Sequence, residues 1–468
     1  MKEFQYQFSI VMPVYNAEKY IQEAVDSVIH QTFDFHQVQV LLINDGSKDN
    51  SKEICEQYSN KYENIEYLEQ ENQGVSVARN LGIKNAKGKY ILFLDADDML
   101  KKNVLSRVSK FFDLHYDDVD LVAYSLKYKH GNHIRLRNHI RYKSEYKKGT
   151  GIYDIKEYPN CIQTTINYVI KNEFEQTQLF DEKLRFAEDE NFATRIIMKK
   201  ERYGYCSDCL YIYRRNETSL TKTYAIQQHT FDLFTKYYQF IFTTYKNYPY
   251  VQLLLLNSLR WRLVEDKLWP SVDEEKHQEN VETLKELLKY IDEDTILNYK
   301  DMNIFHKIYL CKLKKCVTFS KIENGEFLFY VDNKMVYKHK DAECYLYDMQ
   351  YSNGILKFKG ELLSPCFKTF KPKVTLHYNE TVMQVELNAT TFEIDLPYEL
   401  GEKIKLMVAC EGVQCMVHPY FSMKHDTYAS NGEVLFIKKK NSFVAEKENK
   451  IVLRLLRVFK LVKKVVKR

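Results

Sequence analysis

The sequence lacks the features of several protein classes. Its purely apolar runs, such as Leu253–Leu256, fall far short of the roughly 20 residues that a membrane-spanning helix needs. The chain starts Met1-Lys2-Glu3 without the apolar core of a secretory signal, and its ten cysteines follow no regular spacing. The 69 Lys and Arg against 64 Asp and Glu leave a net charge of +5, too small for a uniformly basic surface. We expect a cytoplasmic protein with free thiols and no nucleic-acid partner.

Glycine is absent between Tyr205 and Asn324, where apolar residues recur at helical spacing. Before this stretch, apolar β-branched runs alternate with helical patterns, which predicts an α/β domain built on a parallel sheet with helices on both faces. After it, short alternating runs separated by turn residues predict a small β-sandwich. We therefore expect an α/β domain over residues 1–222, a helical segment over 223–320, a β-sandwich over 321–440 and a C-terminal helix over 441–468.

The predicted C-terminal helix is basic and amphipathic. From Lys450 to Arg468 it contains nothing acidic, and helical spacing gathers its basic residues on one face and its apolar residues on the other. This pattern is typical of a helix that lies on an anionic membrane surface, although a partner-binding or coiled helix is the alternative.

Three carboxylates follow a strongly apolar strand in the run Asp95-Ala96-Asp97-Asp98. Closely spaced carboxylates repel one another unless a cation or hydrogen-bond donors compensate. A divalent cation, Mn²⁺ or Mg²⁺, bound to a diphosphate would meet this requirement, with phosphate oxygens completing its ligands. The alternative is a solvated turn in which Asp98 caps a helix.

Five motifs, in this order and spacing, resemble the family 2 glycosyltransferases of the GT-A fold. They are Pro13-Val14-Tyr15-Asn16, Asn44-Asp45-Gly46-Ser47, Gln73–Asn80, Asp95–Asp98 and Phe180–Glu190. The resemblance covers about residues 6–222 and implies a Rossmann-like mixed sheet. The bacterial teichoic-acid, capsule and exopolysaccharide enzymes with C-terminal accessory modules are the nearest comparison.

The resemblance also implies roles for individual residues. Pro13, Tyr15 and Asp45 would hold the uracil and ribose of a UDP-sugar. Arg79, Asp95 and Ala96 would line the nucleotide or sugar, and Asp97 would bind the metal. Asn44 departs from the aspartate that many members have there. Taken singly, Tyr15, Asp45 and Arg79 equally fit a strand-end aromatic, a helix cap and a solvated helix charge.

Inverting glycosyl transfer needs a base that takes a proton from the acceptor hydroxyl. By the family match Asp189 is the candidate, with Glu188 as its orienting or metal-adjacent neighbour; the alternative is an acidic first turn favoured by the helix dipole. The leaving diphosphate needs donors or positive charge, for which the resemblance suggests Arg215 and Ser219. Arg214 equally fits a plain basic loop.

These features predict an inverting, non-processive hexosyltransferase that moves a sugar from UDP to a lipid-linked or polymeric cell-surface glycan. Single additions are expected because the Gln-x-x-Arg-Trp motif of processive synthases is absent. The enzyme would act peripherally on the inner face of the plasma membrane, and a homo-oligomer remains open. The main alternative is an inactive nucleotide-binding scaffold of a glycan assembly complex. A nucleotidyltransferase fits less well because no glycine-rich loop follows the first strand.

Overall fold

The structure is a computed structural model that describes residues 3–130, 137–138, 145–173, 179–215, 232–245, 248–264, 267–268, 274–368, 370–410, 412–421, 428–430, 434–439 and 442–448. The chain forms two compact units, which divide after Met302. This division falls inside the segment 223–320 that the sequence predicts to be helical. Within the described residues, no helix has the length and apolar character needed to span a bilayer.

The first unit combines a large sheet with helices. Its strands are β1 (Tyr6–Val14), β2 (Val38–Asp45), β3 (Ile65–Gln70), β4 (Gly88–Phe93), β5 (Met99–Leu100), β6 (Leu121–His130), β7 (Arg137–Asn138), β8 (Gly151–Asp154), β9 (Tyr168–Lys171), β10 (Arg202–Arg215), β11 (Leu263–Val264) and β12 (Lys267–Leu268). Its helices are α1 (Ile21–Ile29), α2 (Ser51–Lys61), α3 (Val75–Asn85), α4 (Val104–His115), α5 (Glu188–Lys200), α6 (Gln239–Thr244), α7 (Pro249–Leu259), α8 (Glu274–Leu288) and α9 (Glu293–Asn298). Short 3₁₀ and π turns occupy Phe35–Gln37 and Leu233–Tyr238.

The large sheet runs in the order β3-β2-β1-β4-β9-β6-β10-β5. The first four strands pair in parallel, as the alternating pattern predicts, and all eight residues of β2 are buried. Strand β9 then pairs antiparallel with both β4 and β6, so the whole sheet is mixed. The mixed α/β fold implied by the resemblance is thereby confirmed, while a purely parallel sheet is not.

Helix α3 packs against β1 through a glycine. A Cβ at Gly82 would lie 2.3 Å from the Val11 Cγ1 atom, closer than real side chains approach. The missing side chain lets the helix lie directly on the strand. Since α3 carries Arg79, this close contact fixes how far Arg79 stands from the strand ends.

The second unit contains α10 (Ile304–Leu313) and β-sheets. Its strands are β13 (Thr318–Glu323), β14 (Glu326–Val331), β15 (Lys334–His339), β16 (Ala342–Ser352), β17 (Ile355–Leu362), β18 (Lys373–Tyr378), β19 (Thr381–Val385), β20 (Thr391–Pro397), β21 (Ile404–Cys410), β22 (Val413–Tyr420), β23 (Tyr428–Ser430), β24 (Val434–Lys439) and β25 (Ser442–Lys447). A short 3₁₀ helix lies at Pro365–Lys368. Strands β13, β14 and β15 form one antiparallel sheet, and the others form a larger one. The all-β character predicted from alternation is confirmed.

A tight turn joins two neighbouring strands of this unit. Asn353 and Gly354 both adopt left-handed backbone angles, with φ of 52° and 73°, between the antiparallel strands β16 and β17. Consecutive left-handed residues match the twist of a tight hairpin, which explains the Asn-Gly pair. The sequence predicts a C-terminal helix over residues 441–468, but its first residues form strand β25. Four residues of β25 are buried in the sheet, which explains why they are extended. Residues 449–468 lie outside the described part of the chain.

All ten cysteines are free thiols. Nine are buried and Cys316 is half-exposed. Cys206 and Cys209, which have the spacing of half a zinc site, are both buried in β10, and the thiols pack as apolar groups.

Candidate active site

The loops after β1 and β2 are tied to each other at the carboxyl end of the sheet. Asn16 has a left-handed φ of 50°, a conformation that asparagine tolerates better than most residues. Its backbone N–H donates to Ser47 Oγ at 3.1 Å, and its side-chain Oδ1 accepts the Lys48 N–H at 2.8 Å. Tyr15 beside it is 52% exposed, and Pro13 is half-buried near the strand end. The exposed ring of Tyr15 is therefore available to a ligand.

Asp45 is buried and held by donors from the next strand and helix. Its Oδ1 accepts from Gln70 Nε2 at 2.8 Å and from the Gln73 N–H at 2.9 Å, and its Oδ2 accepts from the Gly74 N–H at 2.9 Å. Gly74, with φ of 98°, is the N-cap residue of α3. Asp45 thus fixes the turn that leads into α3, and its predicted contact with the nucleoside stays a prediction.

Local hydrogen bonds explain why residue 44 is an asparagine. Its Nδ2 donates to the Tyr67 hydroxyl at 3.0 Å and approaches Glu69 Oε1 at 3.5 Å, while its Oδ1 accepts the Ser47 N–H at 3.0 Å. A carboxylate at this buried position would face Glu69 without a donor to offer. The departure from the family pattern therefore suits this chain's own neighbours.

The acidic run after β4 folds into a tight turn, in which the Asp98 N–H donates to the Asp95 carbonyl at 3.0 Å. Asp98 is only 1% exposed, and its Oδ1 accepts the Arg214 N–H at 2.7 Å. Burial, with Asp97 and Asp95 nearby, raises the pKa of Asp98 well above its usual value. The alternative of a solvated turn with Asp98 as a helix cap is wrong, because α4 starts only at Val104 after Asn103.

Arg79 joins two acidic elements of the site. Its guanidinium is buried. The Nη2 atom lies 2.8 Å from Asp95 Oδ1, and the Nη1 atom lies 2.9 Å from Glu188 Oε1. Its carbon Cζ lies 5.4 Å from the Phe180 ring centroid. The carboxylates of Asp95 and Glu188 raise the pKa of Arg79 despite its burial. The alternative of a solvated helix charge is wrong for Arg79, which instead clamps the turn after β4 to the start of α5.

Helix α5 begins with three acidic residues, Glu188, Asp189 and Glu190, after Ala187 in the left-handed conformation. The helix dipole favours acids there, but each also has its own contacts. Glu190 is buried and accepts from the Tyr238 hydroxyl at 2.9 Å, while the Tyr168 hydroxyl donates to the Asp189 carbonyl at 3.3 Å. Burial and the neighbouring Glu188 raise the pKa of Asp189 well above its usual value, although Arg79 opposes the shift. A carboxylate of raised pKa is a stronger base than an ordinary aspartate.

Arg214 contacts the acidic turn after β4, a role that the sequence does not predict. It lies in β10, not in a loop, and is 5% exposed. Its Nε donates to the Asp97 carbonyl at 2.9 Å and its Nη2 lies 2.7 Å from Glu23 Oε2. Arg214 thus holds the acidic turn at two adjacent residues, Asp97 and Asp98. Ser219 and the side chain of Arg215 lie outside the described residues, so their predicted contact with the diphosphate stays a prediction.

The site suits a cation that takes most of its ligands from phosphate. Within the described ranges, no group of three or more His, Cys, Asp or Glu side chains could hold a metal ion. Asp95 is engaged by Arg79, and Asp98 is turned inward toward Arg214. Mg²⁺ and Mn²⁺ in nucleotide sites commonly use one or two carboxylates, and Asp97 in this turn, together with a diphosphate, would fit that pattern.

Comparison with known proteins identifies the chain. The model described as Glycosyl transferase family 2 matches residues 9–175. Minor teichoic acid biosynthesis protein GgaA of Bacillus subtilis (strain 168) is 31% identical over 327 residues, which cover 66% of this chain and 72% of GgaA. The chain belongs to glycosyl transferase family 2.

Other relatives and solved structures are also similar to this chain. Minor teichoic acid biosynthesis protein GgaB of the same organism is 32% identical over 376 residues, 77% of this chain, which spans only 41% of GgaB. The crystal structure of S. aureus TarS matches with a TM-score of 0.54 at 16% identity, covering 95% of this chain and 86% of TarS. TarS 1–349 in complex with UDP-GlcNAc matches with a TM-score of 0.54 at 20% identity, covering 70% of this chain and 98% of that one. These structural likenesses establish the shared fold.

Proposed function

We propose that this family 2 member is an inverting, non-processive glycosyltransferase that moves a sugar from a UDP-sugar to a cell-surface glycan of the teichoic-acid type. The observation that carries the proposal is the buried Arg79, which holds Asp95 and Glu188 together beside Asp189. The names of GgaA and GgaB support the acceptor class, and the UDP-GlcNAc complex of TarS supports the donor class.

In the proposed reaction the acceptor hydroxyl oxygen bonds to the anomeric carbon of the donor sugar. The bond between that carbon and the diphosphate oxygen breaks, and its electron pair leaves with UDP. Asp189 takes the hydroxyl proton, while Arg79 keeps Glu188 and the turn after β4 in place around the donor. A divalent cation bound at Asp97 would neutralise charge on the departing diphosphate.

The first test is UDP release and sugar transfer from a panel of UDP-sugars, led by UDP-GlcNAc, with Mn²⁺ or Mg²⁺. We expect Asp189→Asn to lower turnover about 10²–10⁴-fold, the range for loss of a general base, with UDP affinity retained. Asp118→Asn changes a half-exposed acid paired with His115, and as the matched control it should leave turnover unchanged. UDP binding without turnover of any donor would instead support the inactive scaffold.

The pH profile gives a second readout of Asp189. Only its ionised carboxylate can accept a proton, and burial raises its pKa well above the usual value. Turnover should therefore fall as pH drops through this raised pKa, well above the pH at which an ordinary aspartate is protonated. Rates that stay flat across mildly acidic pH, with chemistry rate-limiting, would contradict the assignment of Asp189 as the base.

We also propose that the enzyme works peripherally at the inner face of the membrane, through the basic amphipathic segment from Lys450 to Arg468. The lipid-linked or polymeric acceptor would be met there. Cosedimentation with vesicles tests this: the full chain should bind vesicles containing anionic lipid but not neutral ones, and a chain ending at residue 448 should bind neither. Equal binding by both chains would overturn the proposal.

A further inference from the structure

A second cleft, of about 390 Å³, lies in the first unit. Its walls come from the segment between Glu145 and Ile162, from α7 and from residues 294–301 around α9. This volume falls in the range of sites for small molecules, which is about 300–1,000 Å³.

The residues that line the cleft include neither Arg79 nor its partners Asp95 and Glu188. Tyr146, next to the cleft residue Glu145, hydrogen-bonds the Tyr203 hydroxyl at 2.6 Å, near the start of β10. Arg214, which holds the acidic turn, lies at the other end of the same strand. The neighbouring strand β6 pairs with Gly204 at Val122 and with Arg214 at Lys129, so these two positions of β10 lie about 23 Å apart at the usual rise of a strand.

The chemistry of the cleft suits an uncharged, hydroxyl-rich ring. Ile162, Leu253 and Tyr299 are buried and give it an apolar floor. Carboxylates and amides surround this floor: Glu145, Asp294, Asp301, Asn160 and Asn298. Lys300 is the one basic side chain among the described residues that line the cleft, so this lining carries net negative charge and disfavours phosphate. Carboxylates and amides are strong partners for sugar hydroxyls, and the floor matches the apolar face of a pyranose.

An exposed tryptophan stands beside this cleft. Trp261 is 62% exposed, although large aromatic side chains are usually buried. The Arg260 guanidinium lies 4.7 Å from the Trp261 ring centroid, and its Nη1 lies 3.2 Å from Oδ2 of the cleft residue Asp301. The Arg260 guanidinium therefore links the indole to the cleft wall. From this position the indole can offer a flat apolar face to a second ring of the same ligand.

We propose that this cleft and Trp261 together bind uncharged sugar residues of a glycan, at a site distinct from the donor site. One sugar ring occupies the cleft, with its hydroxyls on Asp294 and the neighbouring rim groups, and an adjacent ring stacks on Trp261. The use of this site to hold an acceptor during transfer rests on the proposed function; sugar binding itself does not.

The test is saturation-transfer NMR on the full chain with methyl β-glycosides of N-acetylglucosamine, N-acetylgalactosamine, glucose and galactose, and with their β-linked disaccharides. Saturating UDP is present to occupy the donor site. We expect at least one probe to bind, and Trp261→Ala to weaken the disaccharide about three- to tenfold, the range for one aromatic contact. Asp294→Asn should weaken both the monosaccharide and the disaccharide.

Leu114→Ala removes another exposed apolar side chain, 77% exposed on α4, and should leave binding unchanged. Unaltered UDP affinity and melting temperature establish that the variants are folded. The proposal is overturned if no probe binds in the presence of UDP. It is also overturned if Trp261→Ala and Asp294→Asn both bind sugar as tightly as the parent chain. Failure of the proposed transfer would appear differently, as absent turnover with sugar binding intact.

Discussion

At the scale of single residues, Arg79 has the largest predicted effect on stability. Its guanidinium is buried between Asp95 and Glu188, so its removal leaves two partly buried carboxylates without their cation. We expect Arg79→Ala to lower the free energy of unfolding of the first unit by about 3–5 kcal/mol, the usual cost of breaking a buried ion pair.

Urea unfolding measures this change. Arg107→Ala is the matched control, because Arg107 pairs with Asp208 in an ion pair exposed on both sides and should change stability little. Similar losses in the two variants would mean that the bridge at Arg79 is no stronger than a surface pair.

Asp98 makes stability depend on pH. Because burial raises its pKa, the folded chain keeps this proton over a range, starting near 3.8, in which the unfolded chain has released it. The folded state therefore loses stability as pH rises through that range, by up to about 1.4 kcal/mol per pH unit. Asp98→Asn can still accept the Arg214 N–H but cannot titrate.

The difference in unfolding free energy between the parent chain and Asp98→Asn should accordingly shift in favour of the variant as pH rises. Denaturant titrations at a series of pH values from about 4 to 8 provide the measurement. Parallel curves for the two chains would show that Asp98 titrates at the same pH in both states, contrary to its buried position.

At the scale of elements, the packing of α3 on β1 is sensitive to a single methyl group. Alanine normally favours a helix over glycine, yet a Cβ at position 82 would strike Val11 at 2.3 Å. We expect Gly82→Ala to destabilise the fold by about 1–3 kcal/mol through overpacking, and Val11→Ala in the same chain to recover part of the loss.

Gly151→Ala is the control for this prediction. A Cβ there would lie 3.6 Å from Lys148 Cε, an ordinary contact, so thermal unfolding should change little. If Gly82→Ala melts at the parent temperature, α3 is free to move away from β1 and does not fix the position of Arg79.

Most helices and strands can be predicted from the sequence, because the patterns that indicate them lie within a few neighbouring residues. Apolar residues alternate along β17, as the predicted β-sandwich requires, and α3 between β3 and β4 fits the predicted alternation of strands and helices. The buried role of Arg214 is not readable, since its partners Asp98 and Glu23 lie 116 and 191 residues away along the chain. Only the folded sheet brings these charges together, whereas the motif at Asp95–Asp98 is visible in the sequence as three carboxylates within four residues.

At the scale of the whole molecule, the division after Met302 predicts which part carries the chemistry. The described residues that are predicted to bind the donor, and the predicted base, all precede this point. We expect a chain of residues 1–302 to fold and to release UDP from the donor that the full chain uses, while binding polymeric acceptor more weakly. A fragment that is folded but releases no UDP would show that the second unit is needed for turnover.

The free cysteines can report local unfolding of this protein. Burial raises the pKa of Cys55 in the first unit to about 12 and that of Cys415 in the second to about 11, so both thiols resist alkylation while the fold is closed. Mass spectrometry after timed exposure to iodoacetamide should find Cys316 modified first and the other nine only as their surroundings open. The alkylation rate at each site then yields a local opening free energy, without introducing a label.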